Sequence, residues 1–276
     1  MSIKYAYLGP AGTFTEAALQ KIATQSDQLI AYANVTAALD AVRNGECQKA
    51  LVPIENSVEG VVARTLDELA IGQPLVITAE TTLPVTFSLM TLSDKNPAEI
   101  KSIATHPHAE SQCRSFIAKN YPNAQVIESS STAAAAKGLS KGDYDAAIAG
   151  SNAAKNYDLK VIAENIGDNM GAVTRFVLVE KPGNQPKATG KDRTSLAVFI
   201  ALDHAGALLE ILNEFAKHQV NLTFIQSRPT GSQLGHYHFI IDAEGHIEDK
   251  PISAALAGLK EICEDIRFLG SYPQAK

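Results

Sequence analysis

Three hydrogen-bonding side chains follow one another at the end of an apolar segment. The letters LVPI at residues 51–54 are typical of a buried strand, and Glu55, Asn56 and Ser57 come directly after them. Ligands of open α/β sheets bind outside the carboxyl ends of the strands. We therefore expect this strand to deliver its polar end into a ligand cleft.

Several predicted helices begin at small or polar residues, namely glycine, serine, threonine or histidine. Their starts are GPAGTFTEAA at 9–18, HPHAESQC at 106–113 and SSST at 129–132. A helix start carries unpaired backbone N–H groups and a charge of about +0.5, so it can bind an anion. A single hydroxyl there is more often a plain N-cap. Several starts facing one cleft predict a small anionic ligand, held by backbone amides and hydroxyls.

A fixed positive charge interrupts the apolar strand AVTRFVLVE at 172–180. Taken alone, Arg175 in this strand would face solvent more often than it would bind a carboxylate. Thr174 points to the opposite face of a regular strand. Both residues therefore reach one ligand only if the strand twists or bulges, and the pattern leaves this open.

Charge and apolar patterning exclude several classes of function. The chain has 276 residues, a net charge of −6 and no block rich in lysine or arginine, so we expect no nucleic-acid binding. No apolar run approaches the roughly 20 residues of a membrane span. The first residues, MSIKYAYLGP, lack the apolar core of a signal peptide, so we expect a cytoplasmic protein that does not bind membranes.

Cysteines and histidines do not predict a metal site. Cys47, Cys113 and Cys263 are far apart and are interpreted as ordinary buried or half-buried thiols. His106 and His108 precede a helix without a ligand-like pattern around them. His236 and His238 alternate on a predicted strand and are expected at the surface. The chain also lacks GxSxG, GxGxxG and P-loop motifs, which removes the usual sequence support for acyl transfer, dinucleotide binding and P-loop chemistry.

Strand-like and helix-like segments alternate up to residue 180. This order predicts an α/β fold with parallel sheets and right-handed crossovers. The stretch EKPGNQPKATGKDR at 180–193 has no apolar periodicity and is typical of a connector between domains. After it the predicted order is βαββαβ, the split-βαβ pattern.

An internal similarity relates residues 35–56 to residues 131–152. Each segment reads as a helix, a Gly-acid turn, an apolar strand and a polar end that contains asparagine, with Gly45 matching Gly142. Chance similarity between two α/β units is the alternative. We favour two lobes that are built alike, with their strand ends facing a shared cleft.

Six motifs occur in a characteristic order and spacing. They are GPAGTFTEAA, VPIENSVEG, THPHAESQC, SSSTAAAA, VTRF and GALLEILNEFAKHQVNLTFIQSRP. Over nearly the entire chain they resemble the bacterial prephenate dehydratases with a C-terminal ACT regulatory domain. The resemblance implies a two-lobed catalytic domain similar to type 2 periplasmic binding proteins, followed by a ferredoxin-like βαββαβ ACT domain. The catalytic domain would span 1–181, with lobe one at about 1–80 and 160–181 and lobe two at about 81–159. A linker would span 182–193 and the ACT domain 194–272.

The resemblance also implies an activity and its control. The reaction would be the decarboxylating dehydration of prephenate to phenylpyruvate in phenylalanine biosynthesis, without a cofactor. L-Phenylalanine would inhibit the enzyme allosterically at the ACT domain, which requires self-association as a dimer or tetramer. Arogenate dehydratase, a non-enzymatic anion-binding protein and an amino-acid sensor that uses only its ACT part are the alternatives.

Site residues carry over from the family motifs. The catalytic residues would be Thr174, Arg175 and Phe176, and the substrate-binding residues would be Thr13, Asn56, Ser57, Ser130 and Thr132. The phenylalanine site would consist of Gly206, Ala207, Leu208, Asn221, Gln226, Ser227 and Arg228.

Each catalytic residue has an expected role. Thr174 would donate a hydrogen bond to the leaving hydroxyl, and whether it also relays a proton from water is left open. Arg175 would bind the pyruvyl carboxylate, and Phe176 would limit solvation of the departing carboxylate. Glu55 would repel a dianionic substrate, so we expect it to have a structural role, such as orienting Asn56 or capping a helix.

Three positions depart from the family pattern. Gln226 stands where glutamate is common, Ala205 where proline is frequent, and His108 where glutamine is often found. The first two leave the strength of phenylalanine control open.

Overall fold

The computed structural model describes residues 2–92, 95–200, 204–230 and 237–275. Within these ranges no helix is both long and apolar enough to cross a membrane. The chain divides into two compact units. The first consists of Met1–Ala38, Leu51–Val61 and Thr82–Phe176, and the second of Leu39–Ala50, Val62–Thr81 and Val177–Lys276.

Helices and strands alternate through the first part of the chain, as the sequence predicts. In order they are β1 (Lys4–Leu8), α1 (Phe14–Leu19), β2 (Gln28–Tyr32), α2 (Val35–Arg43), β3 (Lys49–Asn56), β4 (Gly60–Val61), α3 (Ala63–Ile71), β5 (Val76–Pro84), β6 (Ser88–Thr91), a 3₁₀ turn (Pro97–Glu99), β7 (Ser102–Thr105), α4 (Pro107–Gln112), α5 (Arg114–Asn120), β8 (Gln125–Glu128), α6 (Thr132–Leu139), β9 (Ala146–Ala149), α7 (Ser151–Asn156), β10 (Lys160–Ala163) and β11 (Val173–Glu180).

These strands form two sheets. The first has the order β2-β1-β3-β11-β5, with β4 added to β3. Strands β1 and β2 run parallel. The second sheet has the order β10-β6-β9-β7-β8.

The second sheet is mixed, so the expectation of purely parallel sheets is wrong for it. Strand β7 is parallel to β8 and β9, but β6 is antiparallel to both β9 and β10. The cause is the connection from β6 to β7. It has only ten residues, 92–101, and its described part contains a single 3₁₀ turn, whereas a parallel crossover needs about a dozen residues or more.

The two internally similar segments fold alike. Helix α2 leads through Gly45 to β3, and helix α6 leads through Gly142 to β9. Gly45 has φ +80° and Gly142 has φ +81°. A residue without a Cβ adopts this left-handed backbone at little cost, which explains both glycines. The predicted sequence of helix, glycine turn and strand is confirmed in both segments.

Strand β9, with the sequence AAIA, forms the centre of the second sheet. All four of its residues are buried. Ala146 and Ile148 belong to one apolar cluster, and Ala147 and Ala149 to another. Because successive side chains point to opposite faces, this strand is covered on both faces.

Tertiary contacts divide one predicted helix into two. The sequence AESQCRSFIAKN predicts a single helix, but α4 and α5 are separated at Cys113, which has φ −121° and ψ 12°. The Gln112 carbonyl accepts a hydrogen bond from the Asp168 backbone N–H at 2.6 Å. The Asp168 carboxylate accepts another from the Ser115 N–H at 3.2 Å. Backbone groups at the break therefore bond to residue 168, far along the chain, instead of continuing the helix.

The last part of the chain has the predicted βαββαβ order. Its elements are β12 (Asp192–Ile200), α8 (Ala207–Lys217), β13 (Leu222–Pro229), β14 (Tyr237–Glu244), α9 (Lys250–Ile262) and β15 (Cys263–Pro273). The sheet order is β13-β14-β12-β15, and each neighbouring pair is antiparallel. Leu196, Val198 and Ile241 pack with Ile211 and Phe215 of α8 in one apolar core.

The other face of this sheet is also covered. Gly270 of β15, with φ +144°, approaches β5 so closely that a Cβ there would lie 2.2 Å from the Ile77 carbonyl oxygen. Arg267 of β15 donates to the Gly72 carbonyl at 2.6 Å, at the end of α3. Any side chain at position 270 would therefore force the two backbones apart.

The expectation that His238 lies at the surface is wrong. His238 is completely buried and stacks on Phe199, with ring centroids 5.0 Å apart. Neither ring nitrogen has a hydrogen-bond partner. Strand alternation fixes which face a residue occupies but not whether that face is covered, and here it is. His236 lies outside the described residues.

The three cysteines are thiols that form no disulfide bond, as expected. Cys47 and Cys113 are buried and Cys263 is half-buried. Burial raises the pKa of the Cys113 thiol to about 12 and that of Cys263 to about 11. Both thiols are therefore protonated at neutral pH.

Candidate active site

Asn56 at the end of β3 forms a direct hydrogen bond with Thr174 near the start of β11. Asn56 Nδ2 donates to Thr174 Oγ1 at 2.8 Å. Asn56 Oδ1 accepts from the backbone N–H groups of Val58 and Glu59, each at 2.9 Å. Two backbone donors therefore fix the orientation of the amide. Since Thr174 Oγ1 accepts from Asn56, the hydroxyl hydrogen of Thr174 can be donated elsewhere.

Ser57 extends this contact by one residue. Its backbone N–H donates to the Val173 carbonyl, and the Val173 N–H donates to Ser57 Oγ, both at 2.9 Å. Ser57 with Val173, Asn56 with Thr174 and Glu55 with Arg175 are successive pairs that run in opposite directions along the two strands. The end of β3 and the start of β11 thus lie side by side.

Arg175 is buried, with 8% of its surface exposed. The interpretation of Arg175 as a solvent-facing residue is therefore wrong. Its Nη1 lies 3.7 Å from Glu55 Oε2, because β3 brings this carboxylate to the neighbouring position. Glu55 therefore contacts Arg175, while backbone groups orient Asn56. Since strand neighbours alternate, this ion pair lies on the opposite strand face from Asn56 and Thr174.

Phe176 is a core residue. Only 1% of its surface is exposed, and it is among the largest fully buried side chains. Alternation along β11 places it on the same strand face as Thr174. Phe176 is thus a buried apolar residue two positions after Thr174 along this face.

Thr13 is the N-cap of α1. Its hydroxyl donates to the Leu8 carbonyl at 3.0 Å and accepts from the Glu16 N–H at 3.3 Å. The plain N-cap interpretation therefore describes this hydroxyl. Thr13 also offers its backbone carbonyl, which accepts from Asn152 Nδ2 at 3.0 Å.

Glu16 organises the loop before α1, and sequence reasoning missed it. Its carboxylate accepts from Tyr7 Oη at 3.1 Å, Gly12 N at 2.6 Å and Asn156 Nδ2 at 2.8 Å. Burial and then the Glu16 charge raise the pKa of Tyr7. Thr13 followed three residues later by Glu16 is a capping-box pattern, which was the available sequence signal. Helix α7 is thereby fastened to the loop that carries Thr13.

A second contact ties the ENSVEG turn to α4, and it was also missed. Glu59 Oε1 accepts from Gln112 Nε2 at 2.8 Å, and its Oε2 lies 3.6 Å from His108 Nδ1. His106 caps α4 by accepting from the His108 N–H at 3.2 Å. Burial and then the neighbouring His108 lower the pKa of His106. No group of three or more metal-binding side chains occurs among the residues that the structure describes.

The start of α6 is capped by Ser131, whose Oγ accepts from the Ala134 N–H at 2.9 Å. Ser130 is exposed and Thr132 is half-buried. In the described part of the chain, the hydrogen bonds of Asn56 and Thr174 include neither residue.

The residues expected to form the phenylalanine site lie around α8 and β13. Gly206, with φ +101°, precedes α8, and Ala207 is buried, whereas Leu208 and Asn221 are exposed. Gln226 Nε2 donates to the carbonyl of its neighbour Ser227 at 3.0 Å.

Arg228 has a different partner. Its Nε and Nη2 donate to Asp67 Oδ1 and Oδ2 of α3, each at 2.8 Å. Sequence reasoning did not detect Asp67, because 161 positions separate the two residues.

Comparisons with known proteins agree with the motifs. A family model described as prephenate dehydratase matches residues 5–184, and an ACT domain model matches residues 194–261. The prephenate dehydratase of Amycolatopsis methanolica is 46% identical over 273 residues, which cover 99% of this chain and 89% of that protein. The chain belongs to the prephenate dehydratase family.

Solved structures extend this relationship. The prephenate dehydratase from Arthrobacter aurescens, in complex with L-Phe, is 49% identical with a TM-score of 0.92, covering 98% of this chain and 90% of that one. The Staphylococcus aureus prephenate dehydratase is 27% identical with a TM-score of 0.83, covering 98% and 100%. A structure described as GqqA, a novel type of quorum quenching acylase, is also 27% identical with a TM-score of 0.86, covering 98% of each chain.

In this member of the prephenate dehydratase family, Asn56 thus bonds directly to Thr174, and Ser57 bonds to the backbone of the neighbouring Val173. It commits the Thr13 hydroxyl to helix capping and Arg228 to Asp67. It adds Glu16 and Glu59 as residues that hold the surrounding loops.

Proposed function

We propose that the chain converts prephenate to phenylpyruvate, carbon dioxide and water, without a cofactor, as a carbon–oxygen lyase of phenylalanine biosynthesis. The single observation that carries this proposal is the hydrogen bond from Asn56 Nδ2 to Thr174 Oγ1. It leaves the Thr174 hydroxyl as a donor, which is what the departure of a ring hydroxyl requires. A role in amino-acid biosynthesis also supports a cytoplasmic location.

The chemistry needs little beyond such a donor. In prephenate the C–CO₂ bond breaks and its electron pair enters the ring, while the C–O bond across the ring breaks and the leaving hydroxyl takes up a proton from solvent to become water. Threonine is too weak an acid to supply that proton outright at neutral pH. Thr174 therefore stabilises the developing charge on the leaving oxygen through a hydrogen bond, as preorganised donors do in oxyanion holes.

Arg175 is proposed to bind the pyruvyl carboxylate. Arg175 is a buried cation directly after Thr174 on β11, 3.7 Å from Glu55. Because successive strand residues point to opposite faces, this role requires β11 to twist locally so that Thr174 and Arg175 reach one substrate. Phe176 supports Thr174 from the core and keeps its surroundings apolar. Ser57, Ser130 and Thr132 are proposed to contribute hydroxyl groups to substrate binding. Thr13 is proposed to contribute through its position at the start of α1.

The domain division remains a proposal that follows the motifs. A catalytic domain over 1–181, with lobes at about 1–80 with 160–181 and at about 81–159, would be followed by a linker over 182–193 and an ACT domain over 194–272. Its support is the interval between β11, which ends at Glu180, and β12, which begins at Asp192.

L-Phenylalanine is proposed as the allosteric inhibitor. The relative with L-Phe bound supports it, as do the exposed positions around Gly206 and β13. Gln226 is neutral, so we expect it to hold the ammonium group of phenylalanine less strongly than a glutamate would.

Self-association, as a dimer or tetramer, is proposed to involve the ACT domain. Large apolar side chains are exposed there, namely Leu208, Leu209, Ile225 and Tyr237. Strand β13 is also an edge of its sheet, and an unpaired edge is a ready partner for a second copy.

The decisive experiment compares kcat/KM of the purified chain on prephenate and on arogenate. We expect prephenate to be preferred and phenylpyruvate to form. A relative described as an acylase has the same overall fold, so the fold by itself does not decide the activity, and turnover must be measured. Preference for arogenate would assign the chain as an arogenate dehydratase, and no turnover of either substrate would overturn the proposal.

Two variants test the division of roles. Thr174→Ala should retain substrate binding and lose most of kcat, whereas Arg175→Lys should mainly raise KM. Equal losses of kcat with unchanged KM in both would contradict these assignments.

A further inference from the structure

Arg228 forms two hydrogen bonds to Asp67 through the Nε–Nη2 edge of its guanidinium group. Both hydrogen bonds are 2.8 Å long, and both side chains are largely covered, with 22% and 30% exposed. The hydrogen bond with Asp67 raises the pKa of Arg228. A bidentate pair of this kind fixes the relative orientation of both groups. Strand β13 and helix α3 are therefore held together at this point.

Helix α3 has a second attachment to the same sheet. Arg267 of β15 donates to the Gly72 carbonyl at 2.6 Å, directly after the end of α3. The neighbour of Asp67, Glu68, instead accepts from Arg43 Nη1 of α2 at 2.7 Å. The ACT-domain sheet thus contacts α3 at its middle and at its end.

Helix α3 follows β4, the strand that pairs with the end of β3 where Asn56 lies. Only Val62 separates α3 from β4. In β4, Gly60 pairs with Asn56 and Val61 pairs with Glu55. A displacement of α3 along its axis therefore pulls on the hairpin that presents Asn56 to Thr174.

We propose that Asp67 and Arg228 form the coupling element through which phenylalanine binding at the ACT domain reduces catalysis, an inference that rests on the proposed function. Arg228 is then a positioning residue and does not bind the effector. Its Nε–Nη2 edge is occupied by Asp67, and we assign recognition of the effector carboxylate to other donors, such as the backbone N–H groups of the turn at Gly206. Effector binding shifts β13, Arg228 carries this shift to α3, and α3 displaces the Asn56 hairpin.

The test uses Asp67→Asn in the full chain, which keeps the side-chain size but removes the charge and one of the two acceptor oxygens. Without phenylalanine, kcat/KM should stay within about threefold of the original protein, since Asp67 does not contact the site. With saturating phenylalanine, the inhibition should become at least about tenfold weaker, within the 5–150-fold range of typical allosteric coupling. Calorimetry should still detect phenylalanine binding.

Asp40→Asn is the matched control. Asp40 accepts from the Arg43 guanidinium at 2.8 Å, so the same chemical change is made at an ion pair on α2 that involves no ACT residue. Its inhibition by phenylalanine should equal that of the original protein. Arg228→Lys keeps the positive charge but loses the bidentate geometry, and it should weaken inhibition as Asp67→Asn does. Arg228→Lys carries the test if Asp67→Asn does not fold.

Each outcome decides one question. If the original protein does not convert prephenate, the proposed function fails, independently of Asp67. If it converts prephenate but is not inhibited by phenylalanine, or if Asp67→Asn is inhibited as strongly as the original, the coupling proposal is overturned. Loss of phenylalanine binding in Asp67→Asn would assign the pair to the effector site and also overturn it.

Discussion

Replacing Asn56 by aspartate reverses the polarity of one hydrogen bond and leaves its neighbours in place. Asn56 Oδ1 accepts from two backbone N–H groups, and a carboxylate oxygen does the same. Asn56 Nδ2, which donates to Thr174 Oγ1 at 2.8 Å, is replaced by a second carboxylate oxygen, which can only accept. The Thr174 hydroxyl must then donate to the new carboxylate, and its hydrogen is no longer available to the leaving oxygen of prephenate.

The expected loss in Asn56→Asp is that of one transition-state donor. Removing such a donor from an oxyanion hole costs about 2.7–4 kcal/mol, or about 10²–10³-fold in kcat. Thr174→Val removes the same hydroxyl and should cost as much. The new negative charge should also raise KM for the dianionic substrate. In the double variant the two losses of kcat should not add, because both remove one interaction.

The assay is steady-state formation of phenylpyruvate. It is applied to the original protein, both single variants and the double variant, which together form a double-mutant cycle. The kcat of Asn56→Asp should recover as pH falls, because a protonated carboxyl group can donate to Thr174 as the amide does. Thr174→Val should show no such recovery and serves as the control. A kcat within about threefold of the original in Asn56→Asp, or losses that add in the double variant, would refute this reasoning.

Three further predictions concern buried and half-buried polar groups. Glu16→Gln should lower the free energy of unfolding by about 1.5–3 kcal/mol and raise KM, because an amide oxygen replaces a carboxylate that has three donors; an unchanged urea midpoint would contradict this. The hydrogen bond from Lys95, followed by that from the Lys101 N–H, lowers the pKa of Asp145 from 3.8 to about 2. The ionised Asp145 carboxylate therefore stabilises the folded protein above pH 3.8, and this stabilisation is lost as pH falls through about 2. Asp145→Asn should lower the free energy of unfolding at pH 7 and reduce its dependence on pH in the acid range. Burial is the largest effect on the pKa of His238 and lowers it from 6.5. The charge of Asp67 raises this pKa and the charge of Arg228 lowers it, each by less than burial does. Protonation therefore favours the unfolded chain, and stability declines as pH falls below 6.5; His238→Leu should reduce this decline between pH 7 and 5 in urea unfolding, and an equal decline in both proteins would refute the assignment.

Local patterns in the sequence determined most of the elements and the polar end of one strand. The apolar run before Asn56 predicts a strand that ends in hydrogen-bonding groups, and β3 ends at Asn56. Gly45 and Gly142 mark two turns whose positive φ values only a residue without a Cβ adopts readily. The βαββαβ order after the connector also follows from local apolar periodicity. These features are local because burial patterns and turn chemistry act over a few residues.

Tertiary structure decided how each polar group is used. The sequence alone leaves the Thr13 hydroxyl open to a ligand, but the fold uses it as a helix cap. The sequence suggests that Arg175 is exposed, but β3 brings Glu55 beside it and buries it. His238 is buried because the second face of its sheet is covered, which alternation along one strand cannot reveal.

The pair of Asp67 and Arg228 shows the same limit over a longer distance. The family motif assigns Arg228 to the phenylalanine site and does not point to Asp67, which is 161 positions away in the sequence. Their contact depends on the packing of α3 against the last sheet. The sequence therefore determined which chemical groups and local elements are available, and the tertiary structure determined which groups meet, because hydrogen bonds act only over about 3 Å and only the packed fold brings distant segments that close.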